Sequence, residues 1–379
     1  MNSARALSED ASYRSTVIPG GSRTSGPLDF YFDTAMIPSF SRYLFLLAVI
    51  LLVAGCARQT PVYKLSGHTM GTTWHMTLMV PATAGLDEQQ LVEGTEAVLE
   101  SVNASMSTYR EDSEISRFNA SPVGEWFQIS ADFYQVLSAA MALGWQSNGA
   151  YDITVGPLVN VWGFGPGGSV ERPPTEQAIQ DLMRRVGQDH LRVDGENYRL
   201  RKTAAVYLDL SSIAKGFAVD EIARWLTGEG ITSYLVEVGG EMRVSGQSPR
   251  GDAWRVAIEQ PEIGQFDIAQ SIRLGNVGVA TSGDYRNYFE IDGQRYSHSI
   301  DPRTGYPVAH ELVSVTVVHP STMLADAWAT ALTVLGAEQA WSVARAQGLA
   351  VYLIQRDEDG FSSRYTEAFA PYLEEIPDR

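Results

Sequence analysis

The stretch YSHSIDPRTG at 296–305 combines residues that can do chemistry with residues that fix the backbone. The chain has only six histidines, and one of them, His298, lies just before an Asp-Pro-Arg-Thr-Gly run. Proline restricts φ and glycine permits a tight turn, so we expect a rigid turn that begins at Asp301 and holds His298 at the end of a strand. A histidine fixed beside an acid can serve as a general base or orient a phosphate, although structural histidines are also common.

A second cluster, DLSSIAKG at 209–216, places a carboxylate, two hydroxyls and a lysine around a strand-to-helix turn. Asp209 ends an apolar run, and Lys215 falls in the first turn of a helix that begins near Ala214. The free N–H groups at a helix start favour an anion, and Lys215 adds positive charge there. The alternative is that a serine only caps the helix and Lys215 faces solvent.

A third cluster, LADAWATAL at 324–332, carries Asp326 and Thr330 four residues apart. This spacing puts a carboxylate and a hydroxyl on one face of a helix. Such hard oxygens suit Mg²⁺, which keeps several waters and accepts phosphate ligands. The alternative is ordinary hydrogen bonding on a mostly apolar helix.

Two further motifs point to other chemistry. Glycines at 163, 165 and 168 match GxGxxG, but Pro166 lies inside the motif and no strand leads into it, so a dinucleotide-binding fold is rejected. Ser212 and Lys215 match the SxxK of serine acyl-transferases. The later Arg-Thr-Gly follows Asp-Pro in a turn, where that class needs a strand, and no Ser-Asp-Asn is present. Acyl transfer through Ser212 is therefore a remote alternative.

Composition limits the partners. The chain has 379 residues, 44% of them hydrophobic, which is enough for a sizeable core. Its formal net charge is −17, whereas nucleic acids and anionic membrane faces attract clustered Lys and Arg. We therefore expect no nucleic-acid partner. A polyphosphate ligand would need backbone N–H groups, a few local cations or a divalent metal ion.

The single cysteine lies at the end of an apolar segment. Residues 36–55 read as a bacterial export signal, and the run Val-Ala-Gly-Cys that ends at Cys56 resembles a lipobox. We expect Cys56 to be lipidated, which would anchor the chain to a membrane in the cell envelope, facing the periplasm. The alternative is a single-pass anchor. Residues 1–35 are read as unstructured or upstream of the true start, and 56–379 as a single domain.

The pattern of elements predicts an α+β fold. Strand-like runs at 69–80, 204–210 and 271–280, among others, alternate irregularly with helical periodicity. Ser130 is a candidate N-cap for a helix over 131–148. Because hairpins occur beside crossovers, we expect a mixed, largely antiparallel sheet core with flanking helices.

The clusters together, in this order, resemble the ApbE family of FAD:protein FMN transferases. The resemblance runs from about 67 to 336 and rests on eight blocks. These are GHTMGTTW, MSTYREDSEISRFN, YDITVGPLVNVWGFG, DLSSIAKGFAVD, VEVGGEMRVSG, ATSGDYRNYF, SHSIDPRTG and ADAWATALTVLG. It implies an ApbE-like, T-fold-related domain that uses Mg²⁺ to move FMN from FAD to a Thr or Ser hydroxyl of a target protein, releasing AMP.

The resemblance also implies a set of site residues. His298 is the candidate base or positioning group, with Asp301 orienting its turn. The matching FAD positions are Met70, Tyr109, Ala150, Tyr151, Asp152, Asp209, Lys215, Ser299 and Ile300. The matching Mg²⁺ positions are Ser212, Ala214, Asp326, Ala329 and Thr330.

The implied partners are FAD and membrane-bound flavoprotein subunits of the Na⁺-translocating NADH:quinone reductase or Rnf type. The same pocket would also suit a periplasmic FAD-binding protein or an FAD pyrophosphatase, which the sequence does not separate from a transferase.

Overall fold

The computed structural model describes residues 60–168, 170–261, 267–283, 288–291, 293–358 and 360–374. The expected signal segment and Cys56 lie outside these residues. From Thr60 onward the chain forms one compact unit. Within the described residues, every helix is too short or too polar to cross a bilayer.

An eight-stranded sheet is the centre of the fold, and all of its neighbouring strands are antiparallel. The strands described are β1 (Val62–Thr69), β2 (Thr72–Met79), β3 (Phe127–Gln128), β4 (Leu191–Asp194), β5 (Arg199–Lys202), β6 (Ser233–Val238), β7 (Glu241–Ser245), β8 (Trp254–Glu259), β9 (Ile268–Leu274), β10 (Val277–Gly283), β11 (Tyr288–Ile291), β12 (Gln294–Ser297), β13 (Leu312–His319), β14 (Ala350–Asp357) and β15 (Gly360–Tyr365). The large sheet has the order β1-β2-β6-β7-β10-β13-β14-β15.

Seven α-helices flank the sheet in the part of the chain that the structure describes. They are α1 (Glu88–Met106), α2 (Glu114–Ala120), α3 (Ala131–Gln146), α4 (Gly156–Val161), α5 (Glu176–Met183), α6 (Ala214–Gly228) and α7 (Thr322–Ala346). The expected N-cap is present, because the Ser130 hydroxyl accepts a hydrogen bond from Phe133 N at 3.2 Å. This architecture confirms the α+β fold with a largely antiparallel sheet.

The core is built between the sheet and its helices. Helices α6 and α7 pack on each other, and α7 also packs on β10 and β13. The main apolar cluster joins these helices to α1 and α3. A second apolar cluster forms around the β8–β9 hairpin, and a third surrounds Trp162 and Ile300. The third cluster includes Ile300, so the 298–306 segment is packed against it.

Two predicted strands differ in the structure. The run 204–210 is irregular although Val206, Leu208 and Leu210 are buried in alternation. Its backbone pairing is limited to an isolated parallel β-bridge between Tyr207 and Val155. The next residue bonds to a side chain, since Leu208 N donates to Asn119 Oδ1 at 2.7 Å and Asn119 Nδ2 donates to Leu208 O at 2.9 Å. The run 271–280 is two strands, β9 and β10.

Candidate active site

The 209–216 cluster forms the turn into α6, as expected. Asp209 N donates to Ile153 O at 2.8 Å, and the Asp209 carboxylate accepts from Ser211 N at 2.8 Å. Neither serine caps the helix, because the N-cap residue is Ile213, without a side-chain bond. The Asp209 carboxylate therefore shapes the turn, and Lys215 enters as the second residue of α6.

Helices α6 and α7 meet at a glycine, which brings two motifs together. A Cβ atom on Gly216 would lie 2.4 Å from Thr322 O and 2.8 Å from Asp326 Cβ, so only glycine fits this approach. In return Gly216 N donates to Asp326 Oδ2 at 3.0 Å. The DLSSIAKG and LADAWATAL motifs thus share one site.

Lys215 lies between two buried carboxylates. Its Nζ is 3.1 Å from Glu241 Oε1 and 3.8 Å from Asp326 Oδ2. The Asp326 and Glu241 side chains are only 4% and 6% exposed. Lys215 therefore does not extend freely into solvent. We call these three residues the buried charge cluster.

Burial decides the electrostatics of this cluster. Desolvation raises the pKa of both Asp326 and Glu241, and the Lys215 ammonium only partly offsets it. Burial also opposes the Lys215 ammonium, but Asp326 and Glu241 outweigh that effect and raise the pKa of Lys215. Because burial disfavours two ionised carboxylates around one ammonium, the second carboxyl group must either keep a proton or meet a further cation.

The residues present fit Mg²⁺. Glu241 Oε2 is buried and has no hydrogen-bond partner, so the cluster holds a polar oxygen that a proton or a cation would satisfy. Among the described residues, no group of three or more His, Cys, Asp and Glu side chains is placed to hold a metal ion. A cation at Asp326 would therefore depend on hydroxyl, carbonyl, water or phosphate oxygens, which is the ligand set that Mg²⁺ accepts.

The other residues assigned to the metal lie in α7, as Ala329 and Thr330 do, or at the start of α6, as Ser212 and Ala214 do. Ser212 Oγ donates to the Tyr151 hydroxyl at 2.9 Å. Burial raises the pKa of Tyr151, with Asp326 adding to the effect and the Ser212 bond opposing it. Thr330 Oγ1 lies 3.4 Å from Ser282 Oγ, and Ala329 is fully buried beside it.

The expected FAD residues come from several separate segments of the chain. Met70 has φ +49° in the β1–β2 turn, which lines a pocket of about 480 Å³. A Cβ on Gly239 would meet Thr72 at 2.9 Å and Lys215 Cδ at 3.2 Å, so this turn lies beside the buried charge cluster. Ala150 is buried next to Tyr151.

Tyr109 approaches from another side. The residue is 68% exposed, and its hydroxyl lies 3.5 Å from Phe164 O. Partial burial of the side chain, and then the nearby Asp209 carboxylate, raises the pKa of Tyr109. The Phe164 ring in turn packs edge-on against His298, with 6.3 Å between ring centroids. Tyr109 is thus close to Asp209, and Phe164 lies between Tyr109 and His298.

The carboxylates of Asp152 and Asp301 are engaged locally. Asp152 Oδ1 accepts from Thr154 N at 2.8 Å, and Oδ2 accepts from Gln188 N at 3.1 Å. Asp301 forms a bidentate pair with Arg303, with N–O distances of 2.9 and 2.8 Å. Both side chains therefore fix the shape of their loops.

The 298–306 segment forms the expected turn, and hydrogen bonds close it. Asp301 N donates to Tyr306 O at 2.9 Å, and Gly305 N donates to Asp301 O at 2.8 Å. Ser299 and Ile300 are buried, and Trp162 Nε1 donates to Gly305 O at 2.9 Å. His298 directly follows β12, so the turn holds it at a strand end.

Three residues of the site carry no role in the sequence-based assignment: Glu241, Gly216 and Phe164. A signal for Glu241 existed, because it is a charged residue beside Gly-Gly whose side chain falls on the inward-facing side of β7. No local pattern marks Gly216 or Phe164, since their contacts come from distant elements.

Comparisons with known proteins agree with this architecture. A family model described as the ApbE family matches residues 70–353. The FAD:protein FMN transferases of Haemophilus influenzae and Vibrio cholerae are each 44% identical over 332 residues, which cover 86% and 87% of this chain and 96% and 98% of theirs.

Solved structures show the same likeness. The flavin transferase ApbE from Vibrio cholerae superposes with a TM-score of 0.77 at 42% identity, covering 83% of this chain and 100% of that one. The apo flavinyl transferase ApbE from Pseudomonas stutzeri gives 0.77 at 41% identity, covering 84% and 98%. The fold and the site therefore define a protein of the flavin transferase class. The chain belongs to the ApbE family.

Proposed function

We propose that this chain, a FAD:protein FMN transferase by its family and its relatives, moves FMN to a Thr or Ser hydroxyl of a target protein. The hydroxyl oxygen attacks the phosphorus of the FMN half of FAD. The pyrophosphate P–O bond breaks, AMP leaves with the bonding electrons, and the hydroxyl gives up its proton. The observation that supports this reaction here is the buried charge cluster, which gathers Lys215, Glu241 and Asp326 beside the expected FAD residues.

In this proposal FAD binds between the β1–β2 turn, the segments that carry Tyr109 and Tyr151, and the 298–306 turn. Lys215 attracts the phosphates, and Tyr109 offers an exposed ring on which one end of the dinucleotide packs. Asp152 and Asp209 act through the loops that they brace. The remaining contacts come from Met70, Ala150, Tyr151, Ser299 and Ile300.

The metal ion in this proposal is Mg²⁺, held by Asp326 and Thr330 with oxygens of Ser212, Ala214 and Ala329. When bound, it neutralises charge on the pyrophosphate oxygens, which is the main requirement of phosphoryl transfer. Two buried carboxyl groups beside a single ammonium, and the unpartnered Glu241 Oε2, support this assignment.

His298 accepts the proton of the incoming hydroxyl or positions that hydroxyl for attack. The rigid turn supports this role, because attack on phosphorus requires an oxygen held in line within a fraction of an ångström. Asp301 contributes by fixing the turn through Arg303.

We also propose the setting of the reaction. Lipidation of Cys56 would anchor the enzyme in the bacterial cell envelope, facing the periplasm. There it would meet membrane-bound electron-transfer subunits of the Na⁺-translocating NADH:quinone reductase or Rnf type. The lipobox-like run that ends at Cys56 supports this location.

The test uses the chain from Ala57 onward, mixed with FAD, Mg²⁺ and a target domain that carries an acceptor Thr. Intact-mass analysis with an EDTA control should show a metal-dependent gain of one FMN on the target, with AMP released. FMN and AMP without any gain on a competent target would instead mean an FAD pyrophosphatase. Absence of FAD turnover, with covalent labelling of Ser212 by a β-lactam, would mean acyl transfer.

Two variants test the residues. His298→Ala should leave FAD bound but lower transfer sharply, and unchanged single-turnover transfer would remove His298 from the reaction. Asp326→Ala should abolish Mg²⁺-dependent transfer while FAD retention falls less. Full activity in that variant would place the metal elsewhere.

A further inference from the structure

We propose that His310 is a positioning residue that ties the His298 turn to helix α7, and so sets the distance between His298 and the Asp326–Thr330 face. The inference rests on the proposed function, because it takes His298 and Asp326 as partners in one reaction. His310 itself is placed away from the reacting atoms.

Helix α7 has an internal break that creates the attachment point. Gly336 has φ +73° and ψ 168°, which is not helical. A break of this kind deprives carbonyl groups in the preceding turn of their usual amide donors. Thr333 O is in that turn, and His310 Nε2 lies 2.7 Å from it. Because a carbonyl only accepts hydrogen bonds, His310 carries its proton on Nε2 and donates it.

Gly336 also makes room for the imidazole. A Cβ at this position would lie 3.0 Å from His310 Cδ2, so a larger residue would push the ring away from Thr333. The other ring nitrogen, Nδ1, is buried without a hydrogen-bond partner. His310 therefore makes one strong polar contact, and that contact is with the broken turn of α7.

The other end of the connection is the His298 turn. Val308 N donates to Ser299 O at 2.9 Å, and Ile300 forms a β-bridge with Pro307. The segment that enters the turn is thus bonded to the segment that leaves it, two residues before His310. Any shift of His310 is transmitted through this pairing to His298.

His310 connects the His298 turn to the helix that carries the Asp326–Thr330 face. His310 contacts α7 at Thr333, three residues beyond Thr330 and within the straight half of the helix that carries Asp326. The opposite side of the turn is fixed by the bond from Trp162 to Gly305. The turn is therefore held by two bonds, one from Trp162 and one through His310. Of these two, only the His310 bond connects it to α7, the helix that carries the proposed metal residues.

The test compares FMN transfer by the wild-type protein and by His310→Ala, His310→Gln and Thr366→Val. His310→Ala should lower kcat for FMN transfer by about tenfold to a hundredfold, the scale expected for a misplacement near 1 Å. The Kd for FAD, read from flavin fluorescence quenching, should change less than about threefold, because most FAD residues lie outside the turn. His310→Gln, whose amide can donate to Thr333 O, should recover most of kcat.

Thr366→Val is the matched control. Thr366 is buried, donates to Leu349 O at 2.7 Å and accepts from Val351 N at 3.0 Å, so Thr366→Val removes buried hydrogen bonds to the backbone away from the turn. It should lower the free energy of unfolding by a similar amount and leave kcat unchanged. If His310→Ala fails to fold, His310→Leu fills the volume without donating and should show the same loss of kcat.

The outcomes separate this inference from the proposed function. Normal transfer in His310→Ala, or a His310→Gln variant as slow as His310→Ala, would overturn the positioning role. An equal loss of kcat in Thr366→Val would show that loss of stability alone explains the effect of His310→Ala. That result would also overturn the positioning role. His298→Ala run in parallel tests the proposed function itself: if that variant transfers FMN normally, the base assignment fails independently of His310.

Discussion

Replacing Asp220 should destabilise the protein strongly, because one carboxylate holds the start of α7. Asp220 Oδ1 accepts from Thr322 N and from Arg243 Nη1, both at 3.0 Å. Oδ2 accepts from the Ser321 hydroxyl at 2.8 Å and from Met323 N at 3.1 Å. A carboxylate from α6 therefore satisfies N–H groups that a helix start leaves free, and its charge is favourable there.

The magnitude follows from these bonds. A helix cap contributes about 0.5 to 2 kcal/mol, and here two N–H groups are bonded at once, so we take about 2 kcal/mol. The partly exposed Arg243 pair adds about 0.5 to 1 kcal/mol. Loss of the Ser321 bond adds about 1 kcal/mol. Asp220→Ala should thus cost about 3 to 4 kcal/mol, and Asp220→Asn, which keeps acceptor capacity but loses charge, about half of that.

Denaturant unfolding is the assay, with Glu229→Gln as the control because Glu229 is exposed at the end of the same helix. The midpoint should fall markedly for Asp220→Ala, less for Asp220→Asn, and not for the control. Transfer activity of folded Asp220→Ala should also fall, since Asp326 is one turn into α7. A loss below about 1 kcal/mol for Asp220→Ala would refute the cap reasoning.

Three further predictions follow from single contacts. Gly336→Ala should lower the free energy of unfolding by about 1 to 3 kcal/mol, because φ is +73° and the new Cβ would crowd His310. Thermal unfolding measures this loss, and an unchanged Tm would contradict the prediction. Burial lowers the pKa of His319, so the unfolded imidazole takes up its proton first, near pH 6.5, and stability should fall as pH drops below that value. His319→Gln should flatten this decline, and an identical pH profile would exclude His319 as its source. Trp162→Phe removes the bond to Gly305 O and should speed amide exchange in the 298–306 turn; exchange at the wild-type rate would show that packing alone holds it.

Much of the fold could be predicted from local pattern. The Ser130 cap, the start of α6 near Ala214 and the 301–306 turn follow from residue types that favour those conformations in any protein. The 204–210 run could not be predicted, because its alternation is that of a strand, but its backbone forms only an isolated bridge to Val155 and Leu208 bonds to the Asn119 side chain. The β2–β6 pairing could not be predicted either, since most of the helices lie between these strands in sequence.

The sequence by itself determined the separate pieces of the site: a histidine before a rigid turn, a lysine at a helix start, and a carboxylate and a hydroxyl on one helix face. Its family resemblance also determined the reaction class. Only the tertiary structure decided that Lys215, Glu241 and Asp326 form one buried charge cluster. The reason is physical. Local sequence sets backbone conformation, whereas burial and pKa shifts depend on which distant elements meet, and here that meeting depends on the close contact of α6 and α7 at Gly216.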